Sequence, residues 1–440
     1  MDPTCAALLA SAKDDPDGPG RLVLADWLTE NGDEARAELI RVQYRLGELD
    51  EFAPERAGAL ERERELLSAH APGWLGPLAL APWNGSFRRG LLHLSCAHPE
   101  HCADAPWAPD LAGQAEWLEA VELRNNSDAE AFQRFLAHPA LARATQWDLS
   151  NPAMRPEHFR ALADAHFPLG IVGLELRGRE LTVASLRRCA GASWFAQLRH
   201  FGAGTGAPIG APHIAALLAD GGRLGSLDLN SRELDPDAAG ALAGAPGGVG
   251  LERLVLHNNL FGAGGTRRLV AGNWPGFRRL NLSVNGIGDA GLAALLAAPW
   301  APGLSHLDLN ANSITVSGAR ALAEAGHVNN LAHLALSGNL IGADGAQALF
   351  RSAHLVGLSS LFLDRNELGD SGALALVGAP VLTGLRVLRL AGNGIGPRGG
   401  RALAEPGALQ GLDHIDLSKN PLTGRAKALL AERYGSRVVL

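Results

Sequence analysis

The stretch LSHLDLNAN, from Leu304 to Asn312, decides the fold because copies of it recur along the chain at a nearly fixed interval. Copies close to the form L-x-x-L-x-L-x-x-N begin at Leu251, Phe277, Leu304, Leu331, Leu358, Leu385 and Leu412. Successive copies start 26 or 27 residues apart, a period typical of a solenoid built from stacked repeats. Alternate side chains of an extended segment face opposite sides, so the leucines would face a core and the intervening residues would face outward.

Weaker copies continue the same register toward the amino terminus. They begin at Leu118, Ala144, Ile171, Leu198 and Leu224, so the sequence predicts twelve repeats. Alanine and leucine at helical spacing follow the strand motif, as in GARALAE from Gly318, and this pattern predicts a helix in each repeat. We expect the strands to form a parallel sheet on the concave side of the solenoid and the helices to form its convex side.

Asparagine and glycine mark the end of each predicted strand. An asparagine there can satisfy backbone groups that are left unpaired where the chain turns. The predicted asparagine ladder consists of Asn126, Asn259, Asn285, Asn312, Asn339, Asn366, Asn393 and Asn420. The glycines that follow suit a turn with unusual backbone angles; they include Gly262, Gly288, Gly342, Gly369 and Gly396.

The complete repeat, L-x-x-L-x-L-x-x-N followed by x-I-G-x-x-G-A-x-A-L-A, closely resembles leucine-rich repeats of the ribonuclease-inhibitor type. The resemblance covers residues 118–440 and implies an α/β horseshoe whose concave face binds a protein partner. Repeats of this type also occur in enzyme inhibitors and GTPase-activating proteins, so a regulator of a partner enzyme is the alternative. The chain has four cysteines and lacks the cysteine richness of the mammalian inhibitor, which weakens that analogy.

The front segment has a different, helical pattern. RLVLADWLTENGDEARAELIRVQYRLGEL, from Arg21, predicts two helices joined at Asn31-Gly32, with Asp33 capping the second, and a third helix is predicted from Pro54. This segment resembles the bacterial repeat-companion domain, which implies architecture but no activity. The matching residues are Leu22, Ala25, Asp26, Trp27, Leu28, Gly32, Asp33, Ala37, Glu38, Ile40, Arg41 and Gln43.

The predicted domains are a helical module at 1–71, a linker and solenoid cap at 72–117, the repeats at 118–421 and a terminal cap at 422–440. GLLHLSC, from Gly90, alternates as a strand and would begin the sheet. We expect Trp27 and Ile40 to lie in the core of the helical module, and Asp26 to cap a helix or to pair with an arginine.

The outward positions of the strands describe the face that a partner would meet. These positions are basic in the middle repeats and acidic in the early ones, as at Glu122, Asp148 and Glu175. Mixed charge with few aromatics predicts a polar protein-recognition face. The predicted partner-binding residues are Arg253, His257, Arg279, Asn281, His306, Asp308, Asn310, His333, Phe362, Asp364 and Arg389.

Three stretches resemble sites for other chemistry, but each has a simpler interpretation. His306 and Asp308 share one face of a strand, with His333 beside them, but a structural zinc site needs four ligands. CAHPEHC offers Cys96, His98, His101 and Cys102, in a spacing too compact for a typical zinc site. LRHFGAGTGAPIGAPHIAALLAD, from Leu198, imitates a dinucleotide-binding turn with Asp228 as the acid, yet one degenerate repeat explains it. We therefore predict no catalytic, cofactor-binding or metal-binding residues, and no enzyme.

Charge and composition limit the partners. Residues 1–70 hold sixteen acidic and eight basic residues, whereas the whole chain has a net charge of −7, so the acidity lies at the front. No basic patch suits nucleic acid, and no apolar run is long enough to span a membrane. The acidic amino terminus is unlike a secretory signal, and the four cysteines do not predict a disulfide framework, so we expect a cytoplasmic monomer.

Overall fold

A computed structural model describes the protein at residues 1–15, 18–49, 55–79, 83–103, 112–125, 128–150, 154–167, 170–176, 181–219, 224–409 and 411–440. The chain divides into two compact units within the repeat array. Unit 1 comprises Met1–Ala207 with Gly222–Leu224, and unit 2 comprises Pro208–Gly221 with Gly225–Leu440. The domain boundaries predicted at residues 71, 117 and 421 remain a prediction.

Unit 1 combines an N-terminal group of helices with the first part of the repeat array. Its helices are α1 Pro3–Asp14, α2 Gly20–Glu30, α3 Glu34–Glu48, α4 Arg56–Leu75, α5 Pro99–Ala103, α6 Ala112–Ala115, α7 Ala129–Leu136, α8 Pro156–Asp164 and α9 Val183–Ala190. Its strands are β1 Trp83–Arg88, β2 Leu91–Cys96, β3 Leu118–Leu123, β4 Gln146–Asp148, β5 Gly173–Glu175 and β6 His200–Gly202. β1 pairs with β2 in antiparallel fashion, and β2 to β6 are parallel.

The start of the sheet was predicted in part. The strand predicted from Gly90 is β2, which pairs with the first repeat strand, β3. β1 was not predicted. It is joined to β2 by Arg89 and Gly90, at φ values of 47° and 80°, the left-handed angles of a two-residue hairpin turn. Arginine rarely adopts such an angle. Of the two turn residues, only Gly90 is therefore typical of this turn in the sequence.

The helices at the front agree with the predicted positions. α2 ends at Glu30, Gly32 turns the chain at a φ of 85°, and the Asp33 side chain caps α3 by accepting from the Arg36 backbone N–H. Asp26 pairs with Arg41 at 2.7 Å, as expected for one of its two predicted roles. Ile40 is fully buried whereas Trp27 is only half-buried, and Pro54 lies outside the described residues.

Two of the four cysteines form a disulfide, which the sequence analysis did not predict. Cys96 ends β2 and Cys102 lies in α5, and their Cα atoms are 6.6 Å apart. The compact spacing that disfavoured a zinc site is what allows the two sulfurs to meet. Cys5 and Cys189 are free and buried.

Unit 2 contains the regular repeats. Its helices are α10 Ala211–Leu217, α11 Pro236–Gly244, α12 Gly262–Leu269, α13 Gly288–Leu296, α14 Val316–Glu324, α15 Gly342–Arg351, α16 Gly369–Leu376, α17 Pro397–Leu403 and α18 Gly424–Tyr434. Its strands are β7 Ser226–Asp228, β8 Arg253–Val255, β9 Arg279–Asn281, β10 His306–Asp308, β11 His333–Ala335, β12 Ser360–Phe362, β13 Val387–Arg389, β14 His414–Asp416 and β15 Val438–Val439. Each predicted repeat therefore contains a strand at the predicted place, and neighbouring strands within unit 2 are parallel.

The predicted asparagine ladder is present in unit 2. The Asn312 Oδ1 accepts from the backbone N–H of Asn285 at 3.0 Å, and its Nδ2 donates to the Leu282 carbonyl at 2.9 Å. Equivalent buried bonds occur at Asn259, Asn285, Asn339, Asn366, Asn393 and Asn420. Each amide thus satisfies backbone groups of two successive repeats, which would otherwise be buried without a hydrogen-bond partner. Asn126 lies outside the described residues.

The predicted turn glycines agree with the structure at four of five positions. Gly262, Gly288, Gly342 and Gly369 have φ values between 53° and 61°, a region in which side chains are strained. Gly396 is different, because at a φ of −92° it is an ordinary N-cap residue in front of α17. A proline follows it at the first helical position, which the other four repeats lack.

The carboxyl end of unit 2 agrees with the predicted helix and strand. α18 buries Ala426 and Leu430, and the Tyr434 hydroxyl donates to the Leu403 carbonyl at 2.8 Å. β15 then adds a last parallel strand beside β14. Among the helices that the structure describes, none is long and apolar enough to cross a membrane.

Candidate binding face

The sheet of unit 2 has one face turned away from the leucines of its core. The middle residue of each strand is buried, as at Leu254, Leu280 and Leu307, so the first and third residues point to the opposite side. We call this side the open face. Its exposure is greatest at β8 and β9, and it decreases toward β13 and β14, where Val387 and His414 are buried.

Four nitrogen-bearing side chains line up across the open face. Arg253, Arg279, His306 and His333 occupy the first position of β8 to β11 and are aligned strand by strand. Neighbouring strands are about 4.8 Å apart, so the four Cα atoms extend over roughly 14 Å. We call this set the basic row.

The two arginines of the basic row are exposed and carry uncompensated charge. Among the described residues, no carboxylate lies within ion-pairing distance of Arg253 or Arg279. The side chains facing outward from β8 to β11 include one carboxylate, Asp308, whose pKa is raised by burial. This part of the open face therefore has an excess of positive charge.

The two histidines of the basic row are stacked and half-buried. Their ring centroids are 5.7 Å apart, and the His306 Nδ1 lies 2.9 Å from the Ser305 hydroxyl. The pKa of His306 is lowered to about 4, mainly by burial and then by repulsion from Arg279, His333 and Arg253. His306 is therefore neutral near pH 7.

A second group adjoins the basic row on β12 and β13. The His333 and Phe362 rings are nearly perpendicular with their centroids 4.8 Å apart, and the Arg389 guanidinium lies 5.3 Å from the Phe362 ring centroid. Arg389 also pairs with Asp364 at 3.0 Å, and Asp364 Oδ1 accepts from the Ala391 backbone N–H at 2.8 Å. The charges of Arg389 and Asp364 thus compensate each other within the fold.

The remaining predicted site residues mainly support the turns after the strands. Asp308 Oδ1 accepts from the Asn310 backbone N–H at 3.0 Å, and Asn310 Oδ1 accepts from the Ser337 backbone N–H at 2.6 Å. Asn281 Oδ1 accepts from the backbone N–H and the hydroxyl of Ser283, the same hydroxyl that contacts His257 Nδ1 at 2.7 Å. These contacts give the four polar side chains a structural role that the repeat pattern did not indicate.

The candidates for other chemistry have different surroundings. In the described part of the chain, no three His, Cys, Asp or Glu side chains are grouped as metal ligands, and Cys96 and Cys102 are bonded to each other. The Leu198 segment forms β6, aligned with β5 as an ordinary repeat strand. Asp228 accepts from Asn230, at 3.0 Å from the backbone nitrogen and 2.7 Å from the side-chain nitrogen.

Unit 1 contains a cleft that the sequence did not reveal. It has a volume of about 1090 Å³ between α3, α4 and the sheet face of β1 to β6. At its base, Arg21 forms a buried ion pair with Glu119, which also lies 3.0 Å from His93 Nε2. Arg21 and Glu119 are 98 residues apart in the chain, so no local pattern joins them.

Comparison with known proteins identifies the repeat. A family model described as Leucine Rich repeat matches residues 277–296, 304–323, 327–350 and 382–404. The fold is a leucine-rich-repeat solenoid. The matched segments of the solenoid contain the strands β9, β10, β11 and β13, and helices that follow them.

Solved structures with similar chains share little sequence with this solenoid. An internalin, InlF, from Listeria monocytogenes is 16% identical with a TM-score of 0.40, covering 77% of this chain and 84% of that chain. A chain from the Rad7 and Elc1 complex of yeast is 15% identical with a TM-score of 0.48, covering 92% of both chains. A search of curated protein sequences found no significant match.

Proposed function

We propose that the protein is a scaffold that binds a partner protein on the concave, open face of the unit 2 solenoid. Leucine-rich-repeat proteins serve as protein-interaction scaffolds, which supports the general class. The residues proposed to meet the partner are Arg253, His257, Arg279, Asn281, His306, Asp308, Asn310, His333, Phe362, Asp364 and Arg389. Of these, Arg253 and Arg279 are the residues on which we place most weight.

One observation carries the proposal: two exposed arginines without an ion-pair partner stand side by side on a parallel sheet. Parallel sheets are normally covered on both faces, yet no element of unit 2 among the described residues covers Arg253 or Arg279. Adjacent like charges do not stabilise a fold. A partner that supplies complementary charge gives these residues a role.

The test compares two charge-reversal variants by affinity capture from a native lysate. In the first variant, Arg253→Glu and Arg279→Glu change the open face. In the matched control, Arg267→Glu and Arg398→Glu change exposed arginines on α12 and α17 by the same net charge. We expect one protein to be retained by the wild type and the control but lost by the face variant. Equal retention by all three proteins would contradict binding at the open face.

The regulator alternative predicts more than capture. If the scaffold is an inhibitor or a GTPase activator, the purified chain changes the rate of the captured partner enzyme, and the face variant does not. If the partner enzyme's rate is unchanged at a saturating concentration of the chain, the regulator alternative is excluded and only the scaffold function remains. We propose that the chain itself has no enzymatic activity.

We further propose a monomer in the cytoplasm of a bacterium, with residues 1–71 as a repeat-companion-like module. The disulfide bears on the location, because disulfides persist mainly in oxidising compartments. The cytoplasmic location is tested by quenching cells in acid, alkylating the free cysteines of the protein and measuring its intact mass. Four alkylated cysteines fit a reducing cytoplasm, whereas two alkylated cysteines, Cys5 and Cys189, would contradict it.

A further inference from the structure

We propose that the basic row binds an acidic segment of the partner protein, whose Asp or Glu carboxylates are held by Arg253 and Arg279. This inference rests on the proposed function, because it names the kind of partner surface that the open face receives. Nucleic acid and inorganic phosphate are the competing ligands that the test distinguishes.

The geometry of the row suits two or more spaced carboxylates. Arg253 and Arg279 are aligned on neighbouring strands about 4.8 Å apart, with His306 and His333 continuing the line. Carboxylates at i and i+2 of an extended segment are about 6.8 Å apart, and those at i and i+4 of a helix are about 6 Å apart. Flexible arginine side chains can reach either spacing.

The chemistry of the row also suits carboxylates. A guanidinium group presents a planar fork of N–H donors that matches both oxygens of a carboxylate. His306 and His333 continue the line of the row, and repulsion from Arg279 and Arg253 adds to the effect of burial in lowering the pKa of His306. A carboxylate bound at the arginines would therefore relieve repulsion that exists in the free protein.

Two features favour a peptide over a polyphosphate chain. Asp308 faces outward beside the row, so a strand with a charge at every unit would be repelled there more than a peptide with spaced carboxylates. The row is also flanked by apolar side chains, with Val255 on β8 and Phe362 on β12 both half-buried on the open face. Such neighbours can pack against the side chains and backbone of an acidic peptide.

The experiment measures fluorescence anisotropy of a labelled octapeptide of alternating Glu and Ser with the full chain. A peptide with Gln in place of Glu is the ligand control. Arg253→Gln with Arg279→Gln is the face variant, and Arg267→Gln with Arg398→Gln is the matched protein control. Thermal unfolding of each variant establishes that the chains are folded.

We expect the wild type and the control variant to bind the Glu peptide at least about tenfold more tightly than the face variant does. The wild type should also prefer the Glu peptide to the Gln peptide by a similar factor. Equal loss in both variants would show general charge attraction and overturn the proposal, as would equal binding of the two peptides. Tighter binding of single-stranded DNA with the same number of charges, or competition by millimolar inorganic phosphate, would overturn it in favour of phosphate recognition.

The outcomes separate this inference from the proposed function. If the Glu peptide fails to bind but lysate capture is lost with the face variant, the open face binds a protein by other contacts. If both experiments fail, the open face is not a binding site at all.

Discussion

The two units differ in how they use charged side chains. Unit 1 buries charge in its core: Arg21 pairs with Glu119, and the Lys13 ammonium donates to the carbonyls of Glu116 and Arg143. Arg36 lies between aromatic rings, with its guanidinium 3.9 Å from the Trp117 ring centroid. Unit 2 also buries one arginine, Arg232, but the ladder that crosses its core is made of neutral amides, and Arg253 and Arg279 carry uncompensated charge on the surface.

The difference indicates which charges belong to the fold and which are available for binding. A buried charge must be paired or hydrogen-bonded, because desolvation otherwise costs several kcal/mol. Arg21 and Lys13 meet this condition within unit 1, whereas the Arg36 guanidinium contacts the Trp74 and Trp117 rings. Arg253 and Arg279 have no ion-pair partner among the described residues, so a ligand can use them without breaking the fold.

The largest expected effect comes from breaking the buried ion pair of unit 1. Arg21→Met should lower the free energy of unfolding by about 3 to 5 kcal/mol, because Glu119 would stay buried without its cation. The guanidinium also donates to the Arg88 and Arg89 carbonyls at the hairpin turn, and these bonds are lost as well. Urea denaturation monitored by circular dichroism measures the change.

The matched control for this prediction removes both charges. Arg21→Met combined with Glu119→Gln should recover part of the lost stability, because no uncompensated charge remains. If the double variant loses as much free energy of unfolding as the two single variants together, the two residues act independently. The buried charges of unit 1 would then not be stabilised by each other.

The next effect comes from the asparagine ladder of unit 2. Asn312→Ala should cost about 2 to 4 kcal/mol, since it leaves the backbone N–H of Asn285 and the Leu282 carbonyl buried without this partner. Asn329→Ala, at an exposed position in the same region, should change stability by less than about 0.5 kcal/mol. Equal changes in the free energy of unfolding for the two substitutions would show that the ladder does not stabilise the fold.

Much of the fold was predictable because its determinants are local and repeat. Each leucine triplet and its asparagine lie within nine residues, so the strands at Arg253, His306 and His333 could be placed to the residue. The cap at Asp33 was predictable for the same reason, whereas Asp26 was predicted only to cap a helix or to pair with an arginine, and its partner Arg41 lies 15 residues away.

The features that were not predicted depend on contacts between distant residues or on unusual backbone angles. Arg21 and Glu119 meet only after the front helices pack against the sheet, and the β1–β2 turn needs arginine at a positive φ. On the open face, the aligned positions were predictable, but the sequence could not show that Asp308 and Asn310 bond to turn backbone. The face therefore has fewer available charges than the sequence alone suggests.

A smaller effect is expected on the pH dependence of stability through His306. Its pKa in the folded protein is lowered to about 4, below the value near 6.5 expected when unfolded. As the pH falls from 6.5 toward 4, the unfolded chain takes up a proton at this residue that the folded chain does not, so stability decreases. His306→Gln should lose less stability than the wild type between pH 7 and pH 5, as measured by urea midpoints. An identical loss in both proteins would contradict the lowered pKa of His306.

The smallest expected effect sharpens the comparison most. Arg253→Gln with Arg279→Gln should leave the free energy of unfolding within about 0.5 kcal/mol of the wild type, because both side chains are exposed and neither has an ion-pair partner among the described residues. Removing two neighbouring like charges can even stabilise the sheet slightly.

Thermal and urea unfolding of this variant, beside Arg267→Gln with Arg398→Gln, measure the change. A loss of more than about 2 kcal/mol in the face variant alone would mean that these arginines hold the fold together as those of unit 1 do. Unchanged stability together with lost peptide binding would instead separate folding from recognition at the same two residues.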